Sequence, residues 1–241
     1  MKPRGGGVTL LANLFSSEKV YATTGTFYPD ADPETTTVDG NADRYIASGG
    51  TFSNIRDGAG TGAASATSGA LQMGFIEAYT TTDTFDNIQR GIFLFNTSSI
   101  GSGKNIDSAY ISVYITTIWT GLGHSNGHIV SSNPASNTDL VSSDYGNLGS
   151  TSFGYLNTAN MTLDAYNNIT LNSSGLANIS LTGVSKFGGR IGFDLDNIAP
   201  TWINGQLTGY RGQTAETGNG NKLVVTYTVP ANPKQDVIWF D

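Results

Sequence analysis

Apolar positions in this chain recur at every second residue in short runs, and glycine- and asparagine-rich breaks separate the runs. Residues 109–115 alternate strictly, with Ile111, Val113 and Ile115 on one side and Tyr110, Ser112 and Tyr114 on the other. A period of two built from β-branched and aromatic residues predicts a half-buried strand. Residues 222–229 repeat the pattern: Leu223, Val225, Tyr227 and Val229 oppose Val224, Thr226 and Thr228, and Pro230 stops the run. Residues 189–195 predict another strand, with Ile191, Phe193 and Leu195 on one face and Gly192 marking a bulge or a close backbone approach. Ile92, Phe93, Leu94 and Phe95 are apolar on both faces, which predicts a central strand. Residues 75–79, 126–131 and 168–171 are weaker strand candidates.

The breaks are rich in turn formers, such as Asp39-Gly40, Asp57-Gly58 and Gly218-Asn219-Gly220. Many short strands joined by such turns predict an all-β fold, a jelly-roll β-sandwich. One helix is expected at residues 174–187, capped by Ser173 or Ser174 and ended by Gly183, with Leu176, Ile179 and Leu181 facing the sheets. Residues 51–70 are mostly Thr, Ser, Gly and Ala and read as a long loop or weak hairpin.

Composition narrows the function. Charged residues make up 13% of the chain, against an ordinary ~25%. Small polar residues take their place: 30 Thr, 23 Ser and 21 Asn. Thiolate metal sites, disulfides and thiol catalysis are excluded by the absence of cysteine. A net charge of −7 with 12 scattered cations argues against nucleic acid as a partner. No apolar run approaches the ~20 residues of a membrane helix, so no membrane partner is expected.

Both termini look like docking segments. Lys2 and Arg4 ahead of Val8–Phe15 faintly suggest a secretory leader, but Asn13 interrupts its apolar stretch. We read residues 1–25 as an arm, hinged at Gly5 to Gly7, that presents Leu10, Leu11, Leu14 and Phe15 to a neighbouring subunit. Residues 26–229 form the sandwich, and residues 230–241 a tail whose Ile238, Trp239 and Phe240 mark a second contact.

Several side chains are candidates for chemistry. Arg90 opens an apolar strand, and a buried arginine must be paired, so a structural ion pair or backbone contact is expected. Asp30, Asp32, Glu34, Asp39 and Asp43 lie on one turn-rich segment that offers carboxylate oxygens to a hard cation, although not at the spacing of a helix–loop–helix calcium loop. A structural calcium on Asp30, Asp32, Asp39 and Asp43 is therefore the one cofactor weighed, against a solvated acidic loop. His124 and His128 are the only histidines; they lack an obvious third metal ligand and read as one in a loop and one at a strand start. Asp194 and Asp196 would share a strand face and Glu77 lies on another strand, but nothing ties them to acid–base work. Trp119, Trp202, Tyr155, Tyr166 and Tyr210 fall near strand ends or loops, where aromatic faces can stack on sugars or fill a subunit interface.

One stretch is more specific. Residues 90–100 (RGIFLFNTSSI), then Gly101-Ser-Gly103 and Asn105-Ile-Asp-Ser-Ala-Tyr-Ile-Ser-Val113, resemble the DNRLRE-type β-sandwich family, related to a group of carbohydrate-binding modules. Gly101 stands where many such domains have proline. The closing strand Lys222-Leu-Val-Val-Thr-Tyr-Thr228, the opening Thr26-Phe-Tyr-Pro-Asp-Ala-Asp-Pro33, Ser142-Ser-Asp-Tyr145 and Ser185-Lys-Phe-Gly188 fit the same resemblance. It looks nearest to the versions in tailed-phage structural gene clusters and covers residues 26–229. The resemblance implies a jelly-roll on virion or extracellular proteins that binds glycans or makes surface, often with a structural calcium, and no catalysis. The expected function is a non-enzymatic virion component: a capsid decoration, head-fibre or tail-surface protein. It would contact its own copies and other virion proteins, with adhesion to cell-surface or matrix glycans as the alternative.

Overall fold

A computed structural model describes residues 21–66 and 69–229. Twelve strands dominate it: β1 (Tyr21–Phe27), β2 (Asp39–Gly50), β3 (Gly62–Ser65), β4 (Ala70–Ala78), β5 (Phe85–Asn96), β6 (Asn105–Thr120), β7 (Asn126–Ser131), β8 (Gly154–Asn157), β9 (Ala165–Thr170), β10 (Val184–Ile191), β11 (Leu207–Gln213) and β12 (Lys222–Val229). Three α-helices of six residues or fewer interrupt them, α1 (Phe52–Asp57), α2 (Ser173–Ala177) and α3 (Gly192–Leu195), along with short 3-10 turns. The expected all-β class holds. The strands form one antiparallel sheet that curls into a sandwich-like body, in the order β1-β12-β6-β11-β4-β5-β10-β7-β8.

Two long strands make the curl. β6 pairs with β12 along Asn105–Ser112 and with β11 along Ile115–Thr120, while β9 pairs across Tyr110–Ile115 on its other edge. β5 pairs with β4 up to Arg90 and with β10 from Gly91, while β2 takes its other edge. Each strand thus bridges two partners on one edge, which bends the sheet over. Glycines permit the handover on β5: a Cβ on Gly74 would lie 2.7 Å from the Ile191 nitrogen, and one on Gly189 would strike the Met73 carbonyl. Side chains there would push the three backbones apart. β8 meets β9 to close the curl, where the Asn172 N–H donates to the Phe153 carbonyl at 2.7 Å and the Asn172 side chain donates to the Ser152 carbonyl at 2.9 Å.

The interior follows the alternation. Ile111, Val113, Ile115, Leu223 and Val225 are buried, as are all of Ile92 to Phe95. Phe93, Phe95, Phe187 and Phe153 make a chain of tilted and edge-on rings 6.0–6.2 Å apart. Such contacts add about 0.5–1.5 kcal/mol per pair beyond burial.

Local corrections follow. β1 begins at Tyr21, so the sheet claims five residues assigned to the arm, and Leu10, Leu11, Leu14, Phe15, Ile238, Trp239 and Phe240 lie outside the described residues. The expected helix at 174–187 is cut to the five residues of α2, capped by Asn172, because Val184–Phe187 pairs with β5. The strand expected at 189–195 ends at Ile191, and Phe193 and Leu195 lie in α3. Residues 51–70 hold α1, capped by the Thr51 side chain on the Asn54 N–H and anchored by buried Ile55, and then β3. Among the described residues no helix is long and apolar enough to cross a membrane.

Candidate functional site

Arg90 proves to be structural. It leaves β5 and meets Asp194, which α3 places four residues after Arg190 of β10. Arg90 donates to both Asp194 oxygens, from Nε at 2.8 Å and Nη2 at 2.6 Å. Arg190 does the same, at 2.8 Å each. The remaining Arg90 donors reach the Tyr145 and Arg56 carbonyls, and its guanidinium lies 3.8 Å above the Tyr145 ring. Asp194 is fully buried. Burial pushes its pKa up, but the Arg90 and Arg190 guanidiniums outweigh that and hold it below the usual carboxylate value. Both its oxygens are occupied, so it has no spare capacity for acid–base work. It also shares no strand face with Asp196, which caps α3.

The two histidines part company, as expected for one in a loop and one on a strand. His124 Nδ1 hydrogen-bonds Thr158 and His128 Nδ1 hydrogen-bonds Ser152, at 3.0 and 2.8 Å. His128 Nε2 is buried without a partner among the described residues, so the Ser152–His128 pair lacks the carboxylate that would complete a triad. Burial, then nearby Arg190, lowers the His128 pKa against a raising effect of Asp196.

The five candidate aromatics do not act alike. Tyr210 is fully buried on β11 and offers no face to a ligand, which corrects its place among the sugar-binding candidates. Its hydroxyl has no partner among the described residues. Tyr210→Phe is therefore expected to be neutral or to stabilise the fold by about 1 kcal/mol, readable in chemical denaturation. Trp119 packs edge-on against Phe75 at 5.4 Å, and Trp202 packs on the core with its indole N–H on the Tyr79 carbonyl at 3.0 Å. Tyr155 is 61% exposed on β8 beside His128.

Tyr166 sits in a richer setting. Registry across β12, β6 and β9 aligns Lys222, Ser112 and Asn168 in one row, Tyr114 and Tyr166 in the next, and Val224, Tyr110 and Thr170 on the other side. All are on the face opposite Ile111 and Val113. Tyr114 and Tyr166 meet edge-on at 5.2 Å, and the Lys222 ammonium lies 3.7 Å above the Tyr166 ring. The alternation at 109–115 already marked Tyr110 and Tyr114 as an outward pair; their meeting with Tyr166 depends on a pairing between distant strands.

The acidic segment splits. Asp30 Oδ2 accepts from the Thr35 hydroxyl and from the Thr35, Thr36 and Thr37 N–H groups, so it closes its own loop. Asp43 stands apart, beside Thr61 and Gly62. Glu34 and Asp39 instead lie near enough to Glu216 to feel its charge, with Asp32 beside Glu34, and local spacing could not connect Glu216 to them. Among the described residues no three His, Asp or Glu side chains already converge as a metal centre. The chain matches no protein-family model and gives no significant match to a curated protein.

Proposed function

We propose that this protein is a non-catalytic surface component of a tailed-phage virion, built as a sandwich that assembles with other copies and other virion proteins. The observation that carries the reading is how the interior charges are used: Arg90, Arg190 and Asp194 are consumed in tying β5, β10 and α3 together. The low charge, the Thr- and Asn-rich composition and the resemblance of residues 90–113 support the same reading. The test is the solution mass of the full chain by light scattering, together with antibody labelling of phage particles. Multimers are expected, and Leu14→Asp or Trp239→Asp should reduce them toward monomer. A monomeric wild type and unlabelled particles would sink the proposal.

A specific observation favours glycan adhesion as a second reading. The Tyr114–Tyr166 pair with Lys222 gives an aromatic platform with a cationic neighbour, and Asn168 beside it accepts the Ser112 hydroxyl, its amide donors engaged by none of the described residues. Stacked sugars would lose affinity by roughly tenfold for each ring truncated to alanine. Glycan-array binding that Tyr166→Ala leaves unchanged would rule this face out.

A further inference from the structure

A groove of about 310 Å³ opens between the start of β6 and the chain that runs from α2 to Leu181. β6 carries a bulge there: Tyr227 pairs with Ile106 and Thr226 with Ser108, so Asp107 is left over and exposed. By strict alternation Ile106 would share the outer side with Tyr110. The extra residue brings it round to the core, where it lines the groove. Leu176, Ile179 and Leu181, whose spacing suggested a helix, line it as well. Ile179 is buried, but Ile106, Leu176 and Leu181 are only half-buried and pack on the core from one side. The backbone around them is pinned. The Gly101 N–H donates to the Leu181 carbonyl at 2.8 Å, the Thr97 hydroxyl to the Ser180 carbonyl at 2.7 Å, and the Asn178 amide to the Lys186 carbonyl at 2.9 Å. The groove is thus preformed, which spares an occupant the cost of ordering it. Lys104 also lines it and joins none of the ion pairs among the described residues. Its volume lies at the small end of the ~300–1,000 Å³ of ligand pockets, so it suits one or two large side chains and not a folded surface.

The register shows what arrives there. Thr228 pairs with Asn105, another lining residue, so residues 230–241 follow β12 from beside the groove. They contain Asp236-Val-Ile-Trp-Phe-Asp241, an apolar run with an acid on each side. The arm joins at the same end, since Tyr21 pairs with Val229, but residues 5–17 carry no charge to set against Lys104. Charge therefore selects the tail. We propose that the Val237–Phe240 segment of a second copy seats in this groove, with a flanking aspartate on Lys104. Pro230 and Pro233 favour an extended run, and residues 230–237 then reach about 25 Å. Such a run overshoots a groove one strand away from Val229 but can enter a neighbour's. The contact is head-to-tail: each copy offers its groove to one neighbour and its tail to another. This contact presupposes the reading that the protein assembles with its own copies, and it supplies a docking surface for that assembly.

The test titrates a labelled peptide of residues 230–241 into the full chain carrying Trp239→Asp, whose own tail no longer competes. Fluorescence anisotropy should show one saturable site per chain. Ala177→Glu, at an exposed lining position, should weaken binding about tenfold or more by setting a carboxylate against the apolar run, while the unfolding midpoint stays in place. Lys104→Glu should weaken it about threefold or more. A peptide with Asp236→Lys and Asp241→Lys should restore that loss, which a merely distorted groove would not allow. Light scattering of the wild type is the second measurement, with multimers expected that excess unlabelled peptide reduces. An absence of saturable binding up to ~1 mM peptide overturns the groove, and multimers seen alongside it would leave the assembly reading intact. A monomeric wild type whose Trp239→Asp variant still binds the peptide would put each tail in its own groove and overturn the exchange between copies. Failure of the charge swap, or displacement of the tail peptide by one of residues 5–17, would overturn Val237–Phe240 as the occupant.

Discussion

Asp194→Ala is expected to cost about 3–5 kcal/mol, or to prevent folding, because it strands Arg90 and Arg190 as buried charges without an anion. The two arginines are 5% and 4% exposed, so water cannot take over the role of the carboxylate. Arg56 adds a third guanidinium 3.8 Å from Asp194. Asp194→Asn separates charge from shape: the amide fills the same space, yet it turns an NH2 toward donors that need an acceptor, so much of the loss should remain. Replacing Arg90 and Arg190 by methionine and Asp194 by leucine together should recover a large part of the stability, since an apolar substitute carries no unpaired charge. The measurement is the midpoint of guanidinium unfolding for each variant. A loss below ~1 kcal/mol for Asp194→Ala would mean that the network acts like a surface ion pair and does not organise the interior.

This network also marks where the amino-acid sequence was legible and where it was not. β12 matches the range read from alternation, and β7 the range of a weaker strand candidate. The 189–195 segment misled by the same alternation: Ile191, Phe193 and Leu195 fit a period of two, and nothing local signals that Asp194 must swing back under Arg190. Likewise Leu176, Ile179 and Leu181 fit a helical stripe, but the ladder to β5 outweighs the helix from Val184 onward. Long-range partners account for the rest. The need of Arg90 for a partner followed from burial alone, while the partner stands 104 residues away. The acidic segment could be recognised around Asp39, but Glu216 reaches it only because β11 and β12 frame a turn beside the start of β2. Tyr210 was misplaced because its segment was read as a strand end or loop, whereas β4 and β6 flank it on both edges.

Stability is expected to fall as pH rises from about 4 to about 8, the reverse of the usual acid-denaturation limb. Asp39 sets the sign. Its pKa moves from 3.8 in the open chain to about 8 in the fold. Below the lower value both states hold the proton and the favourable contribution is fully present. Between the two values the unfolded chain releases the proton and the folded chain keeps it, so the folded state binds more protons and stability declines with pH. One fully engaged group contributes about 1.4 kcal/mol per pH unit at most. The decline ends once pH passes the folded value. Glu34, Asp43, Glu77 and Asp86 are also raised, chiefly by burial, and add smaller effects of the same sign because they are more exposed. Asp194 and Asp30 act oppositely: their pKa values are lowered, so their contribution is lost only as pH drops through the acid range. The two limbs place the optimum on the acid side of neutrality. Guanidinium midpoints across this range test it, with Asp39→Asn as the control, since an amide keeps an acceptor for the Ala215 N–H but carries no proton to lose. That variant should lack most of the declining limb. A wild-type stability that climbs from about pH 5 to 8 would mean that Asp39 is ionised in the fold and satisfied by a donor.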